Sequence, residues 1–296
     1  MFKPGYLRKI LLAAIISLFI LLSGGQFAEA SYSTGFKSPV IEITAPGSSG
    51  LAYDGIIKVQ GKSGLNKVWF CLRGPSGELV TYSADVSGGS FELDLPLRFG
   101  QGRYTVWAGD NSKKFDGKIR FEVENRQQQD TRYTAPSAYV DSEHPDVVSL
   151  AAKIAPPEMS DMEKLQAIHG WVTRNISYDY QLYLSGENRL VTASQTIKDK
   201  QGTCRDYAFV VAALARAAGL PARVVYGQAG NQEGWASQLH AWNEVYAGGR
   251  WVSLDTTWDA GYIKDNNFVA RAATKFFNPE EKTFAKTHLA SNLTLH

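Results

Sequence analysis

Apolar and polar positions change their period near residue 130 of the chain. Between residues 37 and 125 they fall in short runs broken by Gly, Ser and Pro, the pattern of strands with one buried face. Val40-Ile41-Glu42-Ile43 is the first run, and it ends at Pro46-Gly47-Ser48-Ser49-Gly50. Gly55 to Gly61, Lys67 to Arg73, Leu79 to Tyr82, Ser90 to Leu95, Gly102 to Ala108 and Gly117 to Val123 continue the series. Beyond a polar stretch that begins at Gln127-Gln128-Gln129-Asp130, apolar residues recur at helical spacing instead. Val147, Val148, Leu150, Ala151 and Ile154 share one face, and Pro156-Pro157 stops the helix. Ser160 and Glu163 form a capping box ahead of Leu165, Ile168 and Val172, which predicts a helix to about Asn175. Thr192 and Gln195 form a second such pair before a short helix that ends near Lys200.

Two further segments are sharply marked. Gly202 breaks the preceding helix, Thr203 is a good N-cap and Asp206 stands three residues on. An Ala-rich apolar helix is predicted over residues 204–218, closed by Gly219 and Pro221. Leu239 to Tyr246 and Trp251 to Thr256 are aromatic and β-branched runs joined through Ala247-Gly248-Gly249-Arg250, a tight hairpin. The predicted architecture is α+β, with an all-β sandwich over 37–125, a linker over 126–142 and a mixed domain over 143–296. The sandwich is similar in outline to immunoglobulin-like modules. It carries no motif that chooses between a binding module and a spacer.

Composition adds export. Lys3, Arg8 and Lys9 precede the 13-residue stretch Ile10 to Leu22, apolar but for Ser17, and Ala28-Glu29-Ala30 precedes Ser31. This reads as a cleavable signal over residues 1–30, since a membrane span needs ~20 apolar residues. An uncleaved anchor is the alternative. The formal charge of +2 comes from that segment, and 28 basic and 28 acidic residues remain after it. With no basic tract interleaved with aromatics, nucleic acid is not an expected partner. A secreted or cell-envelope location is expected, with no membrane span after signal cleavage. Cys71 and Cys204 are the two cysteines, in surroundings different enough to argue against a disulfide. No C-x-x-C, H-E-x-x-H or D-x-D-x-D-G spacing occurs, so neither metal nor cofactor is expected.

The chemistry concentrates in the two marked segments. Cys204 opens the first turn of its helix, where free N–H groups and the helix dipole favour a thiolate. Its amide is also placed to donate to a developing oxyanion. If Gly248-Gly249 is a two-residue loop, Ala247 faces Arg250, Tyr246 faces Trp251 and Trp242 faces Asp255. His240 then shares the face of Trp242 and becomes a diagonal neighbour of Asp255, roughly 7 Å away between Cα atoms. A three-residue loop would put the two on opposite faces. A thiol, an imidazole and a carboxylate so arranged are the parts of a Cys-His-Asp triad.

The segments G-T-C-R-D-Y-A (202–208), A-G-L-P-A-R-V-V-Y-G (218–227), H-A-W-N-E-V-Y (240–246) and W-V-S-L-D-T-T-W-D (251–259) resemble the bacterial branch of the transglutaminase-like superfamily. The likeness spans roughly residues 145–290, including P-E-E-K-T-F-A-K-T-H (279–288) near the end. It implies a papain-like core with nucleophile Cys204, base His240 and acid Asp255. It implies thiol acyl chemistry on a peptide or a glutamine side chain, ending in hydrolysis or in transfer to an amine. A protein or peptide is the expected partner, cell-wall peptide included. A non-catalytic envelope protein that binds through the sandwich is the competing reading, and the intact triad argues against it.

Lesser candidates stay open. Tyr178 is a possible second oxyanion donor. His169 reads as structural, and His144 and His288 read as surface or capping residues. Trp242, Trp251 and Trp258 fit an acyl-donor groove or plain core packing. Asp259 either reinforces the site or caps the following turn.

Overall fold

The structure, a computed structural model, describes residues 34–230 and 238–294; the expected export signal lies outside them. The N-terminal part is a sandwich of two sheets. One holds β1 (Ile41–Ala45), β3 (Ile56–Ser63) and β6 (Ser90–Pro96) in the order β1-β3-β6. The other holds β2 (Leu51–Tyr53), β4 (Lys67–Arg73), β5 (Leu79–Asp85), β7 (Gly102–Gly109) and β8 (Ile119–Asn125) in the order β2-β8-β7-β4-β5. Alternation decides which side faces in. Ile57 and Val59 of β3 and Val68, Phe70 and Leu72 of β4 are fully buried, while the residues between them reach the surface or its edge. β2 escaped the hydrophobic pattern because its three residues are exposed or half-buried and pair only with β8.

The sandwich meets the rest of the chain through buried groups. Trp69 of β4 lies 6.0 Å from Tyr139, which stacks on Phe209 at 5.8 Å. The guanidinium of Arg98 donates to the linker carbonyls of Ala135 (2.9 Å) and Pro136 (3.0 Å). Arg216 donates to the same Ala135 carbonyl at 2.9 Å. One carbonyl thus joins the sandwich to the helix that carries Cys204.

That helix is one of several around a four-stranded antiparallel sheet. α1 (Pro145–Ile154) is capped by His144, whose Nδ1 accepts from the Asp146 amide, the capping role expected of it. α2 (Asp161–Asn175) starts at the Ser160/Glu163 capping box. β9 (Ser177–Tyr178) and α3 (Tyr180–Ser185) follow, then α4 (Ala193–Asp199). Only half of the second capping box forms: Thr192 accepts from the Gln195 amide, but the Gln195 side chain turns to Asp199 at 2.7 Å. β10 (Gln201–Gly202) leads into α5 (Cys204–Ala217), whose residues 206–216 are all buried. β11 (Ala222–Ala229), β12 (Gln238–Ala247), β13 (Arg250–Leu254) and β16 (His288–Thr294) form the sheet, in the order β13-β12-β11-β16. Small Ala side chains let α5 lie close across it, and Asn243 of β12 donates to the Ala208 carbonyl at 2.9 Å. α6 (Thr256–Ala260), the hairpin β14 (Gly261–Lys264) and β15 (Asn267–Ala270), and α7 (Glu281–Phe284) complete the fold. Among the described residues no helix is long and apolar enough to cross a membrane.

Gly227 has a packing reason to be glycine. A Cβ there would sit 2.2 Å from the Leu289 carbonyl oxygen, 2.6 Å from Trp242 and 2.9 Å from the Ala290 Cα. Backbone on one side and a buried indole on the other cannot yield. Gly227→Ala is therefore expected to cost roughly 1–3 kcal/mol, as overpacked cores do. It should also push β16 off β11, lowering the melting temperature and the activity together. A variant as stable and active as the parent would show that β16 is not held in this register.

Candidate active site

The geometry starts from the turn. Gly248 (φ 59) and Gly249 (φ 81) are the two loop residues, both left-handed as a tight hairpin requires, and Ala247 pairs with Arg250 and Tyr246 with Trp251. Pairing runs to Asn243 opposite Leu254, and continued by one step it sets Trp242 opposite Asp255. Asp255 is not itself a strand residue, in contrast to the expectation from the run Trp251 to Thr256. β13 stops at Leu254, and Asp255 becomes the N-cap of α6, its Oδ1 accepting from the amides of Thr257 (2.9 Å) and Trp258 (3.1 Å). Capping outweighs the strand preference of the two threonines because a buried carboxylate must have its oxygens filled.

The cap leaves Oδ2 facing β12. His240 Nε2 lies 2.8 Å from it. A carboxylate only accepts, so the proton of this bond sits on Nε2 and leaves Nδ1 for the other side. The Cys204 side chain, at the first turn of α5, is the next group that acts on the imidazole. Cys204, His240 and Asp255 are thus brought together, with the histidine between the other two. Burial acts to lower the His240 pKa, but the Asp255 carboxylate and then Cys204 outweigh it and raise the pKa to about 10. Burial acts to raise that of Asp255, yet the charge and hydrogen bonds of His240 and His288 hold it well below the usual carboxylate range.

His288 is the residue that pattern reading misplaced. It is buried, not a surface group, and its Nε2 lies 3.1 Å from Asp255 Oδ2, beside the bond from His240. No local signal marks it. It opens β16, which pairs with a strand some sixty positions earlier, past a register shift between Tyr226 and Gly227. Its ring stacks on Phe284 at 3.9 Å and meets Trp258 at 4.7 Å and Trp242 at 5.1 Å. His240, Asp255 and His288 have ligand-type atoms within 4.8 Å of one another, a set a divalent cation could use. Each Nε2 is already aimed at the carboxylate as a hydrogen-bond donor.

The other candidates separate. His169 is structural and pairs at 2.9 Å with Asp259, whose oxygens also accept from the distant Phe276 amide, so Asp259 ties α6 down and caps no following turn. Trp251 packs under Arg223 and against Tyr133, away from the cleft. Trp242 is core, and Trp258 lines a cleft of about 450 Å³ with His240, Tyr178, Tyr262, Phe268 and Phe276. β9 runs parallel to β10, so Tyr178 is held beside Gly202, just ahead of Cys204. Burial, and then the Cys204 side chain, push the Tyr178 hydroxyl far above the usual phenol value, so it stays a donor.

Both cysteines are free. Burial pushes the Cys71 thiol up, and no histidine is among the groups acting on it. Cys204 should therefore alkylate several-fold faster than Cys71 at neutral pH, followed by iodoacetamide labelling and peptide mapping. Equal rates in the folded protein would remove the case for an activated thiol.

Residues 148–256 match the sequence profile of the Transglutaminase-like superfamily. A stretch of 141 residues, 45% of this chain, is 30% identical to kyphoscoliosis peptidase of Mus musculus and covers 21% of that protein. The human protein of that name matches at 29% identity over 141 residues, again 21% of its length. The chain thus spans about a fifth of the length of these curated relatives. Among solved structures, the periplasmic domain of TgpA from Pseudomonas aeruginosa bound to ethylmercury aligns with 66% of this chain and 91% of that chain, at 17% identity and a TM-score of 0.35. Red sea bream transglutaminase aligns with 75% of this chain and 51% of that chain, at 11% identity and a TM-score of 0.31.

Proposed function

We propose, from the match of residues 148–256 to the Transglutaminase-like superfamily, that this chain is an exported thiol enzyme acting on amide bonds, with Cys204 as nucleophile, His240 as its base and Asp255 as the orienting carboxylate. One observation carries the reading: His240 is bonded through Nε2 to a buried carboxylate and lies where the Cys204 side chain acts on its ring. Export rests on the basic, apolar and A-x-A order of the first 30 residues.

The steps follow from the bonds. His240 Nδ1 carries the proton given up by the thiol, and this resting imidazolium is held by Asp255. The thiolate sulfur attacks the amide carbonyl carbon. The oxyanion meets the Cys204 amide and the Tyr178 hydroxyl, two donors at the mouth of α5. The Nδ1 proton passes to the leaving nitrogen as the C–N bond breaks, and a thioester remains on Cys204. Water then gives an acid, or an amine gives a new amide. Hydrolysis is favoured, because the described residues lining the cleft include Lys275 but no carboxylate to receive an ammonium group.

The mature protein, incubated with cell-wall peptides and separately with a glutamine donor and a lysine acceptor, should release ammonia or new amino groups without cross-linked mass. Cross-linked product as the main outcome would reverse the hydrolytic assignment. No turnover of any amide, with Cys204 free, would count against the enzyme reading as a whole.

A further inference from the structure

The thiol-acyl mechanism leaves His288 without a task, and on that mechanism the geometry points to one: His288 is a positioning residue that keeps the Asp255 carboxylate ionised while His240 is uncharged in the acyl-enzyme. Asp255 is completely buried. Its Oδ1 holds two backbone amides and its Oδ2 two imidazole N–H groups, from His240 at 2.8 Å and His288 at 3.1 Å. In the resting enzyme the His240 imidazolium balances its charge. Once the Nδ1 proton has left with the amine, Cys204 is a neutral thioester and His240 is neutral. The carboxylate is then a buried anion with hydrogen bonds alone to support it, a state that is costly unless every lone pair is filled.

Without that support Asp255 would take a proton from solvent. A protonated carboxyl donates to His240 Nε2 and shifts the imidazole proton to Nδ1. Nδ1 faces the thioester and must be free to take a proton from the attacking water, so this tautomer cannot deacylate. The His288 Nε2–H prevents the exchange by holding Asp255 as an acceptor. His288 is built for this. Phe284 covers its ring at 3.9 Å and 7°, Trp258 and Trp242 close the sides, and Thr287 Oγ1 meets its Nδ1 at 2.9 Å. Thr287 lines the cleft and His288 does not, so His288 acts through Asp255 and never on substrate. The titratable groups facing Asp255 are His240 from β12, His288 from β16 and Tyr207 from α5, while Asp259 of α6 is held by His169 from α2.

The test uses p-nitrophenyl acetate, whose leaving group needs no proton; His240 then sheds its Nδ1 proton to solvent before water attacks, the burst reports acylation and the steady state reports deacylation. His288→Phe keeps the ring packing and removes the donor. Its burst should stay within about threefold of the parent, and its deacylation should fall roughly tenfold to a hundredfold, the loss expected for one hydrogen bond to a charged group. The acid limb of deacylation should move to higher pH, and His288→Gln, with an amide N–H in reach, should recover much of the rate. Should Phe prevent folding, His288→Met carries the same expectation. Parental deacylation with an unmoved acid limb would overturn the role. So would an equal fall in both phases with a lower melting temperature, the mark of a packing residue. A parent without a burst would instead sink the thiol mechanism itself, and this role with it.

Discussion

Cys204→Ala is expected to bring amide cleavage down to the uncatalysed background while the melting temperature stays close to the parent's. The change removes the atom that attacks the carbonyl, and no other nucleophile shares the position. Cys71 sits on β4 of the sandwich, with its partners on β5 and β7 rather than in the cleft. The fold should tolerate the change, because alanine is the best helix former and position 204 opens α5. Steady-state turnover with thermal unfolding of both proteins checks it. Activity above a few per cent of the parent would place the nucleophile elsewhere.

Asp255→Asn should lower kcat by roughly 10⁴-fold, the size of the effect for the corresponding carboxylate of a serine protease. The local bonds say why. The amides of Thr257 and Trp258 require an acceptor at Oδ1, so the asparagine oxygen stays there and α6 keeps its cap. The NH2 group then points at His240 and His288, where the protein presents N–H donors. His240 escapes the clash by moving its proton to Nδ1, where it can no longer accept from the thiol. The pH profile adds a sign. The His240 pKa is raised to about 10, so its imidazolium persists through neutral pH and is lost as pH rises through that value. The parent's alkaline limb should therefore lie near there, and the residual activity of Asp255→Asn should fall off at lower pH because the main raising charge is gone. A variant within a few-fold of the parent, with the limb unmoved, would make Asp255 a structural cap only.

Much of this site was readable before any coordinates. Gly248-Gly249 fixed the loop length and so the face on which His240 stands, and Thr203, Asp206 and Gly219 marked the ends of the helix that opens with Cys204. What escaped was set by contacts distant in sequence. The threonines after Asp255 favour a strand, yet the buried carboxylate captures their amides and turns the chain into α6. His288 was invisible because β16 has its inward side chain defined only by pairing with β11. The β14–β15 hairpin was a missed local signal: Asp265 (φ 50) and Asn266 (φ 60) are residues that tolerate the left-handed region, set between the apolar Tyr262-Ile263 and Phe268-Val269. That hairpin supplies Tyr262, Ile263 and Phe268 to the lining of the cleft, with the Phe268 ring 6.4 Å from that of Tyr178.

The central claim is that an acyl group passes through the Cys204 sulfur, activated by His240 and Asp255. Acid-quenched mass spectrometry of the protein mixed with p-nitrophenyl acetate tests it most directly. One acetyl group per chain should appear within the first turnover, map to the peptide containing Cys204, and be absent from Cys204→Ala and slow to form in Asp255→Asn. Product formation with no acetyl on Cys204, or an acetyl group on Cys71 instead, would contradict the account.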